Sequence, residues 1–302
     1  MSDITLSYRY FNGTIDKLDL SVKNDFGHPG KTGFPNDCSV FPVVYIGTLT
    51  KNIGYSLRSV DTMFRYKKPG YRIAAFMYIE NMYELETLTR QELEYLKNAY
   101  DECTLVVSPF PDAYKAILGS MPGIRRHVPF VPELLPDAQF ALYLDCDTLV
   151  LSDIKESFGS FSSDMPVVSA SRDPFSKESF STGVTLFNLD KARNENFLAR
   201  AVEYGRAHRG DDVINALWHR ELEVSPLPYT LDFKAHGDAE NLDPSLMDTI
   251  RIMHYNGRPK MWERGFSASS VVGARTEYED KIYVAGFERF RKEKLVPPCS
   301  NR

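Results

Sequence analysis

Four short apolar runs constrain the fold of this chain more than any other feature: FPVVYIG at 41–47, YRIAAFMY at 71–78, CTLVVSPF at 103–110 and FALYLDCDTLVL at 140–151. Each is too short to be a typical helix and too continuously apolar for a strand with one wet face. Such runs fit strands buried on both sides. Between them, YSLRSVDTMFRY and RQELEYLKNAY space their apolar residues at helical intervals. Strands alternating with helices imply parallel βαβ units, hence an α/β, doubly wound, mainly parallel sheet with flanking helices. MPVVSAS and GVTLFNL read as further strands and DDVINALWHR as a helix. In sheets of this kind ligands bind at the carboxyl ends of the strands.

The last of the four runs contains a contradiction. Asp145 and Asp147 lie in an otherwise apolar stretch, and buried anions are costly unless paired or bound to a cation. Read as one strand, positions i and i+2 project to the same side, so the two carboxylates converge on one point. In a purely structural reading Asp147 caps the next turn and Asp145 meets a distant Arg or Lys, which accounts for one carboxylate better than for two. A divalent cation with oxygen ligands, magnesium or manganese, accounts for both.

Three other segments carry chemically useful groups. GTLTKNIGY, at 47–55, leads from the first strand toward a helix as a polar loop that can face a nucleotide. SRDPFSKESFSTGVTLFNL and RGDDVINAL place Asp173, Asp211 and Asp212 in loops or at a helix start, where helix capping is the ordinary role of each. HYNGRPKMW, at 254–262, follows the apolar run TIRIM. Its histidine, His254, can be a third ligand beside two carboxylates, and Lys260 can meet the phosphates of a bound nucleotide.

Taken together these segments resemble glycosyltransferases of family 8, the group that includes glycogenin and bacterial lipopolysaccharide galactosyltransferases. The likeness runs from about Phe41 to Trp262 and implies a GT-A (Rossmann-like) fold. TLTKNIGY resembles the family's nucleotide loop, which implies uridine contacts from Thr48, Asn52 and Tyr55. PELLPDAQFALYLDCDTLVL resembles the segment with the family's D-x-D metal motif, which implies Asp145 and Asp147. HYNGRPKMW resembles the H-x-x-G-x-x-K-P-W motif, which implies His254 on the metal and Gly257 and Lys260 at the diphosphate. The implied reaction moves a hexose from a UDP-sugar, with Mn2+ or Mg2+, to an acceptor that is a glycan, a lipid-linked glycan or a protein. Retention of anomeric configuration is the family's outcome.

The chain also departs from the family pattern. Met261 replaces the usual proline. Ser181 stands where the family has an asparagine near the donor sugar, a region to which Asp173 is also assigned. Gly210 and Asp211 stand where the family reads Asp-Gln, so Asp211 or, with a one-residue gap, Asp212 takes the catalytic place on the reactive face of the sugar. Two alternatives compete. DCDTLVL also fits the D-x-D-x-T motif of haloacid-dehalogenase-type phosphatases, but that reading expects a strand before GDDVIN, where EYGRAHR is polar and helical in character. The other is a nucleotide-sugar-binding protein without turnover.

Composition sets the remaining bounds. The 302 residues carry 43% hydrophobic and 25% charged side chains, as soluble globular proteins do. A net charge of −5 without a basic block excludes a nucleic-acid backbone as the main partner. Cys38, Cys103, Cys146 and Cys299 form no CxxC pair, which fits a reducing, cytoplasmic setting. No signal-peptide core or membrane-spanning run is expected. The expected organisation is a polar N-terminal extension at 1–38, a catalytic domain at 39–265 and a C-terminal helical segment at 266–302. In that last segment FERFRKEK, at 287–294, is expected to pack as an amphipathic helix, with a weak membrane-surface contact as the alternative.

Overall fold

The computed structural model describes residues 40–47, 50–80, 96, 100, 102–121, 127–136, 138–158, 163–172, 180–207, 217, 223–234 and 249–255, with only the backbone at 50–52 and 54. The first three apolar runs form β1 (Val40–Gly47), β2 (Arg72–Ile79) and β3 (Cys103–Pro109), paired in parallel. The fourth run begins as β4 (Phe140–Leu144), parallel to β1. β6 (Val168–Arg172), β7 (Phe180–Asn188) and β8 (Val224–Pro226) complete a seven-stranded sheet of order β3-β2-β1-β4-β7-β6-β8. Only β7 runs against its neighbours.

Alternate residues of β1 go to opposite cores, which is why the run is apolar throughout. Val43 and Tyr45 pack with Ile53, Leu57, Val60 and Phe64 of helix α1 (Thr50–Tyr66). Val40 and Val44 face the other way, into a core with Leu118 of α2 (Asp112–Gly119), Val131 of α3 (Val131–Leu134), Leu189 of α5 (Leu189–Asn194) and Phe197 of α6 (Phe197–Ala207). A short α4 (Ile154–Phe158) joins α1 on the first face through Ile154. With helices on both faces, the doubly wound, mainly parallel α/β architecture expected from the sequence is the one observed.

Two local expectations are corrected. FALYLDCDTLVL is not one strand: β4 ends at Leu144, and Thr148–Val150 form β5 of a second, three-stranded sheet. There β5 pairs antiparallel with β10 (Ile252–His254), which pairs in parallel with β9 (Phe233–Lys234). The chain changes sheets at Asp145–Asp147, so a turn, not the pleat of a strand, brings the carboxylates together. The polar loop after β1 is also shorter than expected. Helix α1 begins at Thr50 because Ile53, 1% exposed, continues its buried stripe one turn upstream of the YSLRSVDTMFRY segment.

The expected extension at 1–38 and the segment at 266–302, including 287–294, lie outside the described residues. Among the described residues no helix is long and apolar enough to cross a membrane.

Candidate metal and active site

The turn between β4 and β5 is held from three sides. The Asp145 amide donates to the Gly183 carbonyl at 2.8 Å, adding one rung to the β4–β7 ladder beyond Leu144. Tyr143 Oη donates to Asp145 Oδ1 at 2.7 Å. The amide and Oγ1 of Thr148 both reach the Asp145 carbonyl, at 3.3 and 2.9 Å, and close the turn. Because Thr148 spends its one hydroxyl hydrogen on that carbonyl, Ser59 must donate to Thr148, and Tyr45 to Ser59. Both of these contacts are 3.0 Å and buried. This hydroxyl chain fastens the turn to α1 and β1.

His254 reaches the same place from β10. Its residue pairs with Thr148 across the β5–β10 ladder, and the next amide, Tyr255, donates to the Asp147 carbonyl at 2.9 Å. The imidazole is 1% exposed. Its Nε2 lies 3.4 Å from Asp147 Oδ1 and 3.7 Å from Asp145 Oδ2. Its Nδ1 lies 2.8 Å from Oδ1 of the buried Asp232, the residue before β9. A carboxylate oxygen accepts, so Nδ1 carries a hydrogen.

The Cε1 side of the ring, between the two nitrogens, lies against the backbone of β7 at Gly183. A Cβ there would sit 2.1 Å from Cε1, 2.7 Å from Nε2 and 2.8 Å from Nδ1. Glycine is required here for close approach, and the backbone φ is unremarkable.

Burial alone would depress the pKa of His254. The charges of Asp232 and Asp147, with the hydrogen bond that Asp232 accepts, outweigh it and push the imidazole up to about 9. The protein without a metal thus holds a proton where two carboxylates and a ring nitrogen converge.

The donor set fits a divalent cation. One ligand atom from each of Asp145, Asp147 and His254 lies within 4.8 Å of the others, and among the described residues this is the one such trio. His254 Nε2 is buried and makes no hydrogen bond. Two oxygens and one imidazole nitrogen suit manganese or magnesium, and the side chain of Asp145, 20% exposed, leaves the site open on one side.

Comparison with known proteins points in the same direction. Residues 129–265, a little under half of the chain, match glycosyl transferase family 8. The matched span includes both aspartates, Gly183, Asp232 and His254. "Glycosyltransferase 8 domain-containing protein 1" of Danio rerio is 20% identical over 278 residues, covering 76% of each protein. The galactosyltransferase LgtC, solved in complex with donor and acceptor sugar analogs, superimposes with a TM-score of 0.59 at 17% identity, over 84% of this chain and 95% of its own. The bifunctional glycosyltransferase WbbM gives 0.60 at 16% identity over 87% of this chain and 53% of its own, so the present chain spans about half of WbbM. The shared fold is GT-A.

The other residues singled out in the sequence divide into two groups. Tyr55 lies half-buried on α1, its ring 5.6 Å from the Arg58 guanidinium. Burial raises its hydroxyl pKa, Arg58 opposes that shift and nearby Cys146 adds to it, which puts Tyr55 beside the turn. Ser181 is fully buried on β7, two residues from Gly183 and so on the same face of the strand. Its Oγ has no hydrogen-bond partner among the described residues. Thr48, Asp173, Asp211, Asp212, Gly257 and Lys260 lie outside the described residues, as does the side chain of Asn52.

Sequence reasoning missed Asp232 and Gly183. The available signal was LPYTLDFK, at 227–234, where an aspartate and a lysine interrupt an apolar stretch much as Asp145 and Asp147 do.

Proposed function

We propose that the protein is a retaining hexosyltransferase that uses a UDP-sugar donor and manganese or magnesium. The observation that carries this reading is the convergence of Asp145, Asp147 and the buried Nε2 of His254 within the span that matches family 8, beside the carboxyl end of β4. A bound divalent ion supplies charge neutralisation to the departing diphosphate. The chain's own groups do the rest. The two aspartates and His254 are held in place by the turn, the β5–β10 ladder and Asp232 before any ligand arrives, so little reorganisation is required on binding.

Thr48, Asn52 and Tyr55 are assigned to the uridine, and Gly257 and Lys260 to the diphosphate, where the lysine adds a second cation. Asp173 and Ser181 are assigned to the donor sugar. The orphaned Oγ of Ser181 supports that assignment, because a buried hydroxyl ordinarily finds a partner. Asp211 or Asp212 is assigned to the reactive face of the sugar, stabilising positive charge at the anomeric carbon or attacking it. The acceptor is a glycan, a lipid-linked glycan or a protein. A reducing, cytoplasmic setting belongs to the same reading.

The test is a panel of UDP-sugars incubated with Mn2+ in the absence of acceptor. Hydrolysis of at least one, abolished by chelation, is expected. Failure of the protein to bind UDP in the presence of Mn2+ would sink the proposal. Binding without turnover of any donor would indicate the non-catalytic nucleotide-sugar-binding alternative.

A further inference from the structure

Asp232 has no part in the ligand trio, yet it touches the trio's histidine. It is 1% exposed, and its Oδ1 takes the Nδ1 hydrogen of His254 at 2.8 Å. The ring is thereby confined between this carboxylate and the β7 backbone at Gly183, with Nε2 directed toward Asp145 and Asp147. A buried carboxylate is costly where it merely ends the short helical turn Tyr229–Leu231, and its second oxygen, Oδ2, has no hydrogen-bond partner among the described residues. A cap of that kind needs no anion. A histidine that binds a metal through Nε2 does need its Nδ1 hydrogen fixed, and a carboxylate there also raises the ring's basicity.

We infer that Asp232 is a positioning residue that fixes the tautomer and ring orientation of His254, so that Nε2 is presented to a divalent cation shared with Asp145 and Asp147. The inference rests on the metal-site reading and adds a residue that acts only through His254. The register supports it. β9 and β10 run parallel with Met253 opposite Phe233 and His254 opposite Lys234, so the pairing that places His254 also places Asp232 beside its ring. Ring and carboxylate are set by the same ladder.

The test compares Mn2+ affinity, measured by calorimetry without nucleotide or sugar, in wild type, Asp232→Leu and Asp232→Asn. Leucine keeps the volume and removes the acceptor, and asparagine keeps an acceptor oxygen. Asp232→Leu should lose ~10–100-fold in Mn2+ affinity, the range for outer partners of metal-bound histidines, and Asp232→Asn should recover most of the loss. Wild-type affinity in Asp232→Leu overturns the inference. If that variant does not fold, the decision passes to the wild type loaded with Mg2+. Proton and nitrogen-15 spectra should then show the His254 Nδ1 hydrogen shifted far downfield by a hydrogen bond to a carboxylate, and an unshifted Nδ1 hydrogen overturns the inference. A wild-type protein that binds neither ion would instead refute the metal site itself, so the two failures are distinguishable.

Discussion

Gly183→Ala is the smallest change that should disable the site. The new methyl would lie 2.1 Å from His254 Cε1, roughly 1.4 Å short of the ~3.5 Å at which carbon atoms rest in contact. Three things prevent the ring from simply moving aside. Asp232 holds Nδ1, the β5–β10 ladder holds the backbone, and the ring is 1% exposed. Turning the ring by ~30° off its rotamer costs about 0.5–1.5 kcal/mol, and giving up a hydrogen bond to a charged group costs about 1.5–3 kcal/mol. The stability loss should therefore fall in the ~1–3 kcal/mol range of an overpacked core, a few degrees in melting temperature.

The effect on metal binding should be larger. Metal–ligand distances tolerate only ~0.2 Å, several times less than the displacement the methyl imposes. A drop in Mn2+ affinity of ~100-fold or more is expected, with the folded population intact at room temperature. Gly119→Ala is the matched control, since a Cβ there meets nothing within 4 Å. Calorimetry with Mn2+ and thermal melts in chelator would measure the two effects separately. A Gly183→Ala protein with wild-type Mn2+ affinity would show that His254 does not sit against β7 as described, and the ligand geometry would fall with it.

Other outcomes follow from the same geometry. Asp147→Asn should keep the metal-free melting temperature within a few degrees and lose Mn2+-dependent UDP affinity; unchanged affinity in a titration would remove Asp147 from the site. The raised pKa of His254 sets two pH trends. A folded-state pKa of about 9 against an ordinary 6.5 stabilises the metal-free protein fully below pH 6.5, and that contribution disappears as pH rises through 9. Mn2+ must displace the same proton, so its affinity should climb by about tenfold per pH unit across that window, and a flat profile by calorimetry would refute the assignment. Manganese should also slow amide exchange in β5 and β10 more than in β1–β3, because the ligands bridge the small sheet to the turn; equal protection in both sheets would contradict this.

Much of the fold was legible because burial on both faces leaves a plain mark. β1, β2 and β3 fall on the apolar runs that announced them, since a strand covered by helices on either side has no polar positions to interrupt it. The ligand trio was legible for the opposite reason: Asp145, Asp147 and His254 are polar where apolar residues were expected. The break after Leu144 was not legible, because Thr148, Leu149 and Val150 remain buried in the second sheet, and periodicity records burial without recording the partner strand. The start of α1 was hidden by the polar character of TLTKNIG, in which Ile53 is the one buried side chain among the described residues. Asp232 was hidden because its role depends on the β9–β10 pairing, which brings together segments that show no pattern in common.

That pairing explains why a glycosyltransferase site would be divided between two sheets. Had FALYLDCDTLVL continued as one strand, Asp145 and Asp147 would have pointed to one side with β7 beside them and no backbone close enough to present an imidazole. Leaving the main sheet at Leu144 frees Thr148–Val150 to pair with β10, and the rung that joins Thr148 to His254 fixes the third ligand's distance from the other two. The next amide along, Tyr255, is spent on the Asp147 carbonyl, so the ligand-bearing turn and the ligand-bearing strand share a hydrogen bond as well as a prospective ion. The position of His254 relative to both carboxylates is thus set by the sheet before any ligand is bound, which keeps the reorganisation on binding small.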